Sequence, residues 1–211
     1  MPKYLFDEFK NKIDIGGGGV ITNIEVPMQL PDGSILFYDR GSAYGEYSAV
    51  GSDIVRISDG VDDGSAESTY WRYLICDQHD LDNGTFQWGP YGANEGMTDG
   101  KYEDMGYGLP NTNAMIAKYA TNTSYWWRLI KEKRDNTGLD WFMPSKDELD
   151  MMYDNRTVIT GQGGDAFKTD TWYWSSSEYN SDLAWSQNFS TGNQGLNFKN
   201  DSYHCRLLRR I

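Results

Sequence analysis

Residues 140–149 read DWFMPSKDEL, and residues 172–178 read WYWSSSE. In the first block Ser145 supplies an N-cap oxygen. Glu148 stands at the third helical position, completing a capping box. Leu149, Met152 and Tyr153 then recur at helical spacing, which predicts a helix over 144–155. The second block opens a run of short strands that continues to the end of the chain, beyond the glycine-rich turn at Gly161-Gln162-Gly163-Gly164. A helix feeding strands rich in aromatics and small hydroxyls sets the fold class, and the other segments are read around it.

Upstream, Asn111–Tyr119 predicts a second helix, with Asn and Thr as capping residues and Met115, Ile116 and Tyr119 on one face. Nearer the N-terminus the pattern is strand-like. Val20–Val26, Ser34–Tyr38, Asp53–Ile57 and Tyr70–Cys76 read as strands, and Pro31-Asp32-Gly33 reads as a turn. Gly41–Gly51 reads as loop or irregular strand. Asp77–Lys101, with turn signals at Asn83-Gly84 and Gly89-Pro90, reads as a long excursion. The order is strands, long loop, two helices, then strands. It predicts an α+β fold, loop-rich, with two helices packed on short antiparallel sheets. Residues 1–19, ending in four glycines, are set apart as an attachment segment and flexible joint before a domain at 20–211.

Composition narrows the functions. The chain has 211 residues, 23 Gly, 15 Tyr, 8 Trp and a net charge of -12. That charge opposes binding to nucleic acid or to an anionic membrane surface. No stretch has the roughly 20 apolar residues that cross a bilayer, and the N-terminus lacks the apolar core of a signal peptide. The expected location is a virus particle or a cell surface. Two cysteines, Cys76 and Cys205, allow one disulfide, but sequence does not show whether they are close.

Catalytic and metal chemistry finds little support. There is no P-loop and no dinucleotide fingerprint. His79 and His204 lack paired-ligand spacing. A triad assembled from Ser175–Ser177, His204 and an Asp would be accidental, since no nucleophile elbow accompanies it. Asp59, Asp62 and Asp63 cluster, as do Asp77, Asp80 and Asp82. Their spacing does not follow the EF-hand register, and they are read as solvated acidic loops. No cofactor is expected.

The tail from Trp172 to Ile211 mixes bulky residues with small polar ones that tolerate exchange. Period-two alternation sends Trp185, Gln187 and Phe189 to one buried face and Ser186 and Asn188 to solvent. Trp174 and Trp185 are assigned to the core. Ser175–Ser177 are read as satisfying turn and backbone hydrogen bonds. Gly195-Leu196-Asn197-Phe198, with Tyr203 and His204, reads as an exposed strip of contacts. Arg206, Arg209 and Arg210 are expected to pair with carboxylates such as Glu148 or Glu178.

In order, the blocks Gly33–Tyr38, Trp71, GYGLPNT (106–112), DWFMPSKDEL, YWSSSE (173–178), Ala184-Trp185, Phe189, Gly192 and Arg206–Arg209 resemble C-type-lectin-like domains. Such domains occur at the ends of collagen-like bacterial adhesins and in phage proteins. The resemblance runs from about Gly33 to Arg210, and its N-terminal part is looser. The tail looks most like the variable region of retroelement-diversified proteins. Adenine mutagenesis of AAC codons there reaches many residues but not Trp, Met, Lys, Gln or Glu. Trp172, Trp174, Glu178, Trp185, Gln187, Gln194 and Lys199 would then be fixed. The resemblance implies a variable ligand-binding surface within about 172–205, formed by Asn180, Asp182, Leu183, Ser186, Asn188, Gly195, Leu196, Asn197, Phe198, Asn200, Asp201, Ser202, Tyr203 and His204. It implies a non-enzymatic binding protein whose partner is a protein or other surface structure of a host or neighbouring cell. A glycan-binding adhesin or phage receptor-binding domain is the alternative. The Glu-Pro-Asn, Gln-Pro-Asp and Trp-Asn-Asp motifs of calcium-dependent sugar-binding lectins are absent. So is the cysteine context of the related formylglycine-generating enzymes.

Overall fold

A computed structural model describes residues 13–14, 20–21, 24–50, 53–58, 60–82 and 84–211. The strands are β1 (Ile13–Asp14), β2 (Val20–Ile21), β3 (Met28–Gln29), β4 (Ile35–Asp39), β5 (Tyr47–Val50), β6 (Asp53–Arg56), β7 (Tyr73–Cys76), β8 (Phe86–Gln87), β9 (Trp172–Glu178), β10 (Leu183–Asn188), β11 (Gln194–Phe198), β12 (Ser202–Tyr203) and β13 (Leu208–Arg210). The helices are α1 (Gly108–Tyr119), α2 (Trp126–Thr137), α3 (Lys146–Asp154) and α4 (Arg156–Gly161). The strands form four small sheets, ordered β1-β6-β5-β2, β13-β7-β4-β3, β12-β8 and β11-β10-β9. All their pairings are antiparallel. The class is α+β, as expected.

The capping box forms as read. Ser145 Oγ accepts from the Glu148 N–H at 3.3 Å, and Glu148 Oε2 accepts from the Ser145 N–H at 2.8 Å. Glu148 is fully buried, and its other oxygen accepts from Gly106 N–H. Burial pushes its carboxyl above the usual range, against the pull of those N–H donors and of Arg210. Helix α1 begins at Gly108, three residues earlier than predicted. Pro110 falls in its first turn, where a missing N–H costs nothing. Asn111 is therefore no cap. It lies buried inside the helix and donates to Tyr102 O and Ser176 Oγ. Among the described residues there are four helices, not two. In α2 only Trp126, Trp127 and Ile130 are buried on an otherwise polar helix. Gly138 ends it in the left-handed region, at φ 68°.

Three further expectations need correction, and the open question of the two cysteines is answered. Gly41–Gly51 contains the regular strand β5, which pairs with β6. Cys76 and Cys205 are both buried and unpaired. The terminal arginines do not take Glu148 or Glu178 as partners. Arg206, Arg209 and Arg210 pair with Asp80, Asp32 and Asp62 at 2.7–2.9 Å, carboxylates carried in by distant loops. The acidic loops are consequently not simply solvated: Asp62 and Asp80 serve these arginines, and Asp77 binds Lys133. Asp59 and Asn83 lie outside the described residues. So does the 1–19 segment except Ile13 and Asp14, which pair with β6.

Five tryptophans are fully buried: Trp71, Trp88, Trp126, Trp127 and Trp174. Four of their indole N–H groups reach backbone carbonyls, Trp88 to Ser175, Trp126 to Tyr203, Trp127 to Trp88 and Trp174 to Phe86. These bonds let a polar atom enter an apolar core without loss.

Lys199 and Glu178 form a fully buried ion pair at 2.5 Å, with neither side chain exposed. Lys199 Nζ also donates to Ala93 O, and Glu178 accepts from the N–H groups of Glu95 and Met97. The pair thereby fixes the 88–97 loop against β9 and the end of β11. Replacing Lys199 with Met strands a buried carboxylate. Urea denaturation is expected to show a loss of about 3–5 kcal/mol, part of it restored by adding Glu178→Gln.

Candidate ligand-binding face

The β9–β10–β11 sheet carries most of the tail. Its register pairs Leu183 with Phe198, Trp185 with Leu196 and Gln187 with Gln194, so these six side chains share one face. Ala184, Ser186 and Asn188, opposite Asn197, Gly195 and Asn193, occupy the other. Helix α3 covers the far end of the first face, where buried Gln187 donates to Asp150 Oδ1 at 2.6 Å. The near end is open. Leu196 is 36% exposed and Phe198 51%. Tyr91, from the long loop, meets the Phe198 ring edge-on at 5.8 Å, and Tyr179 meets Trp185 at 5.9 Å. Both tyrosines are exposed.

Trp185 is thus not core, as alternation had suggested. Glu178 opposes Ala184 and Trp174 opposes Ser186, so Ser175, Ser176 and Ser177 occupy the span facing Trp185 alone. This detour is a bulge in β9, while β10 itself alternates regularly. The three serines are buried and hydrogen-bonded: Ser175 to Trp185 O and Ser177 to Tyr102 O, the backbone bonds expected, and Ser176 as acceptor from the Asn111 side chain. Trp185 remains half-buried at the centre of the open face, its Nε1 donating to Glu103 at 2.8 Å while Lys146 lies 4.5 Å over its ring. Acidic groups border this edge. Burial, with Asp104, Glu103 and Asp150 nearby, raises the Asp147 carboxyl against the opposing pull of Lys146.

The expected site residues therefore divide. Leu183, Leu196 and Phe198 come together on the open face. Asn200 and Ser202 are exposed beyond it, and Asp201 Oδ2 receives the Phe198 N–H. Asn180 and Asn188 serve turns instead: Asn180 Oδ1 accepts from Asp182 and Leu183 N–H, and Asn188 Oδ1 accepts from Ser190 and Thr191 N–H. Asp182 accepts from Ser181 Oγ within the first of these turns. Ser186 is only 1% exposed, contrary to expectation. It accepts from Asn197 Nδ2 at 2.6 Å, and Tyr203, packed on Trp174, completes that second cluster. Gly195 is structural, because a Cβ there would stand 3.0 Å from the Trp172 ring. His204 turns inward beside Tyr173, its ring 12% exposed and Nδ1 3.9 Å from Asp80. The sequence reading missed Tyr91, Tyr179 and the exposure of Trp185. Nothing local in the sequence joins Tyr91 to a strand a hundred residues away.

No protein-family model matches this chain, and no curated protein does. Among solved structures, a fimbrial protein from Bacteroides ovatus is similar, with a TM-score of 0.45 and 15% identity over 66% of this chain. The match spans 36% of that protein's own length. At that distance the likeness assigns neither family nor function. Among the described residues, no group of three or more His, Cys, Asp or Glu side chains is arranged to hold a metal ion, and no helix is long and apolar enough to cross a membrane.

Packed and exposed positions of the tail respond differently to substitution. Gly195→Val is expected to displace Trp172 and cost about 1–3 kcal/mol, seen in thermal unfolding and in near-UV circular dichroism. Asn200→Ala is expected to stay within about 0.5 kcal/mol of the parent.

Proposed function

We propose that this chain is a non-enzymatic binding protein of C-type-lectin-like fold. Its tail presents a face that selects a protein on the surface of a host or neighbouring cell. The observation that carries this reading is the continuous apolar surface of Leu183, Trp185, Leu196 and Phe198, flanked by Tyr91 and Tyr179. Clustered exposed aromatics on a rigid frame are the composition of protein-binding hot spots. The capping box of DWFMPSKDEL and the buried hydroxyls of YWSSSE fit the resemblance that motivates the fold assignment. A rigid frame also lowers the ordering cost of association.

A protein partner suits this face better than a glycan. Lys146 already occupies one side of the Trp185 ring, and Glu103 takes its N–H. Leu196 and Phe198 offer no polar group to a sugar hydroxyl. In the same reading the tail is rewritten by adenine mutagenesis. Leu183, Leu196 and Phe198 are reachable by that chemistry, and Trp185 is fixed among them. A virion or a cell surface is the expected place for such a protein.

Two experiments test the proposal. The purified domain is applied to an array of cell-surface proteins and to a glycan array without calcium. Combined Tyr91→Ala, Leu196→Ala and Phe198→Ala substitutions are expected to weaken protein hits at least about thirtyfold while the melting temperature stays close to the parent's. Strong calcium-independent glycan hits would replace the protein reading, and unfolding of the variant would contradict the exposure of the face. Separately, deep sequencing of the coding locus in propagated cultures is expected to show substitutions confined to adenine positions of the tail. An invariant tail would make this an undiversified adhesin domain.

A further inference from the structure

Among the described residues, strand β11 lies at the edge of its sheet, hydrogen-bonded only to β10. The bonds at its two ends fix which groups point outward. Lys199 N–H donates to Asp182 O, and Asn188 N–H donates to Asn193 O. By antiparallel alternation Asn193, Gly195, Asn197 and Lys199 face β10, while Gln194, Leu196 and Phe198 turn their backbone groups away from it. Phe198 is already satisfied by the turn that follows: its N–H reaches Asp201 Oδ2, and its carbonyl accepts from Asp201 N–H. That leaves the N–H and C=O of Gln194 and of Leu196 as an open edge. Proline, lysine and bulges, the usual protections of such edges, are all missing from Gln194-Gly195-Leu196-Asn197-Phe198.

We infer that a second copy of this chain occupies the edge, pairing antiparallel with β11 about a two-fold axis at Gly195. In that register Gln194 of each copy forms a hydrogen-bonded pair with Leu196 of the other. The four free groups of one strand are met by the four of the other, and none is left over. Gly195 faces Gly195 at the non-hydrogen-bonded position, where the backbones come closest, and its own face is filled by Trp172. The two Leu196 side chains become diagonal neighbours across the axis. This self-complementarity is what an isologous contact requires, and it favours a second copy over an unrelated strand. The two sheets merge, and Trp185, Leu196 and Phe198 of both copies lie on the same side, doubling the open face. The inference rests on the edge alone and stands whether or not that face binds a ligand.

The contact is small, and each copy carries a charge of -12. Association is therefore weak, concentration-dependent and strengthened by salt. Sedimentation velocity up to submillimolar protein, at low and high salt, is expected to show a dimer that salt favours. Hydrogen exchange of the Leu196 and Gln194 amides is expected to slow as concentration rises. Leu196→Pro removes an outward N–H that makes no bond within the protomer, and it is expected to weaken dimerisation at least about tenfold. Leu196→Thr keeps the edge and is expected to retain the dimer. A monomer at every concentration and salt level, with unchanging amide exchange, overturns the inference, including the case in which the edge serves a foreign strand instead. A dimer insensitive to Leu196→Pro overturns it as well. If the proline variant fails to fold, the amide-exchange measurement on the parent chain still decides.

Discussion

The Glu178–Lys199 pair has no contact with solvent, and much of the tail's geometry hangs on it. Two opposite charges taken from water gain little net energy from each other unless their remaining hydrogen-bonding capacity is met. Here it is met largely by backbone: two N–H groups for the carboxylate and a carbonyl for the ammonium. The consequence is positional. A loop with little regular structure, residues 88–97, is seated against β9, and Tyr91 is delivered beside Phe198. Wherever the pair is intact, the aromatic face has its outer wall.

A second constraint is the crowded span Ser175–Ser177 opposite Trp185. Small hydroxyl side chains suit a buried detour because each can bond backbone at short range. Ser175 and Ser177 do so, to β10 and to the segment before α1, while Ser176 Oγ accepts from the Asn111 side chain on α1. Trp185 shares its face with buried Gln187 but lies beyond the part that α3 covers. Glu103 and Lys146 then hold the indole in one orientation at the middle of the open face. The core and the face are thus set by the same few residues, and the face inherits the stiffness of the core.

The local parts of this arrangement were legible in the sequence. The capping box at Ser145 and Glu148, the strands around Ile35, Ile54 and Leu74, the burial of Trp174 and the exposure of Leu196 and Phe198 all follow from spacing and residue type. What was illegible is non-local. The partners of Arg206, Arg209 and Arg210 lie about 126–177 positions away in sequence, and no pattern rule selects Asp80, Asp32 and Asp62 over Glu148 and Glu178. Helix α2 escaped notice because its buried stripe is only three residues wide on a charged helix. Ser186 and Trp185 depart from the expected burial because both faces of the sheet are partly covered: Ser186 is buried beside Asn197 on one, and α3 covers only the Gln187 end of the other.

Position in the sheet, more than residue type, decides which tail residues are free to change. Asn180 and Asn188 look like exchangeable surface, yet each holds a turn through two backbone N–H groups. Gly195 looks like the smallest choice available, yet a side chain there would strike Trp172. Ser186 and Asn197 are bonded to each other on the half-buried face, so a change at one removes a hydrogen bond from the other. Leu183, Leu196 and Phe198 have no such obligations. Leu183 is held through its backbone by the Asn180 turn and Phe198 by the Asp201 turn, Leu196 is held through its neighbours Gly195 and Asn197, and the side chains of Leu196 and Phe198 are exposed. Substitution there alters the chemistry of the face at little expense to the fold, which is the property a surface needs if it is to change partners while the frame beneath it stays the same.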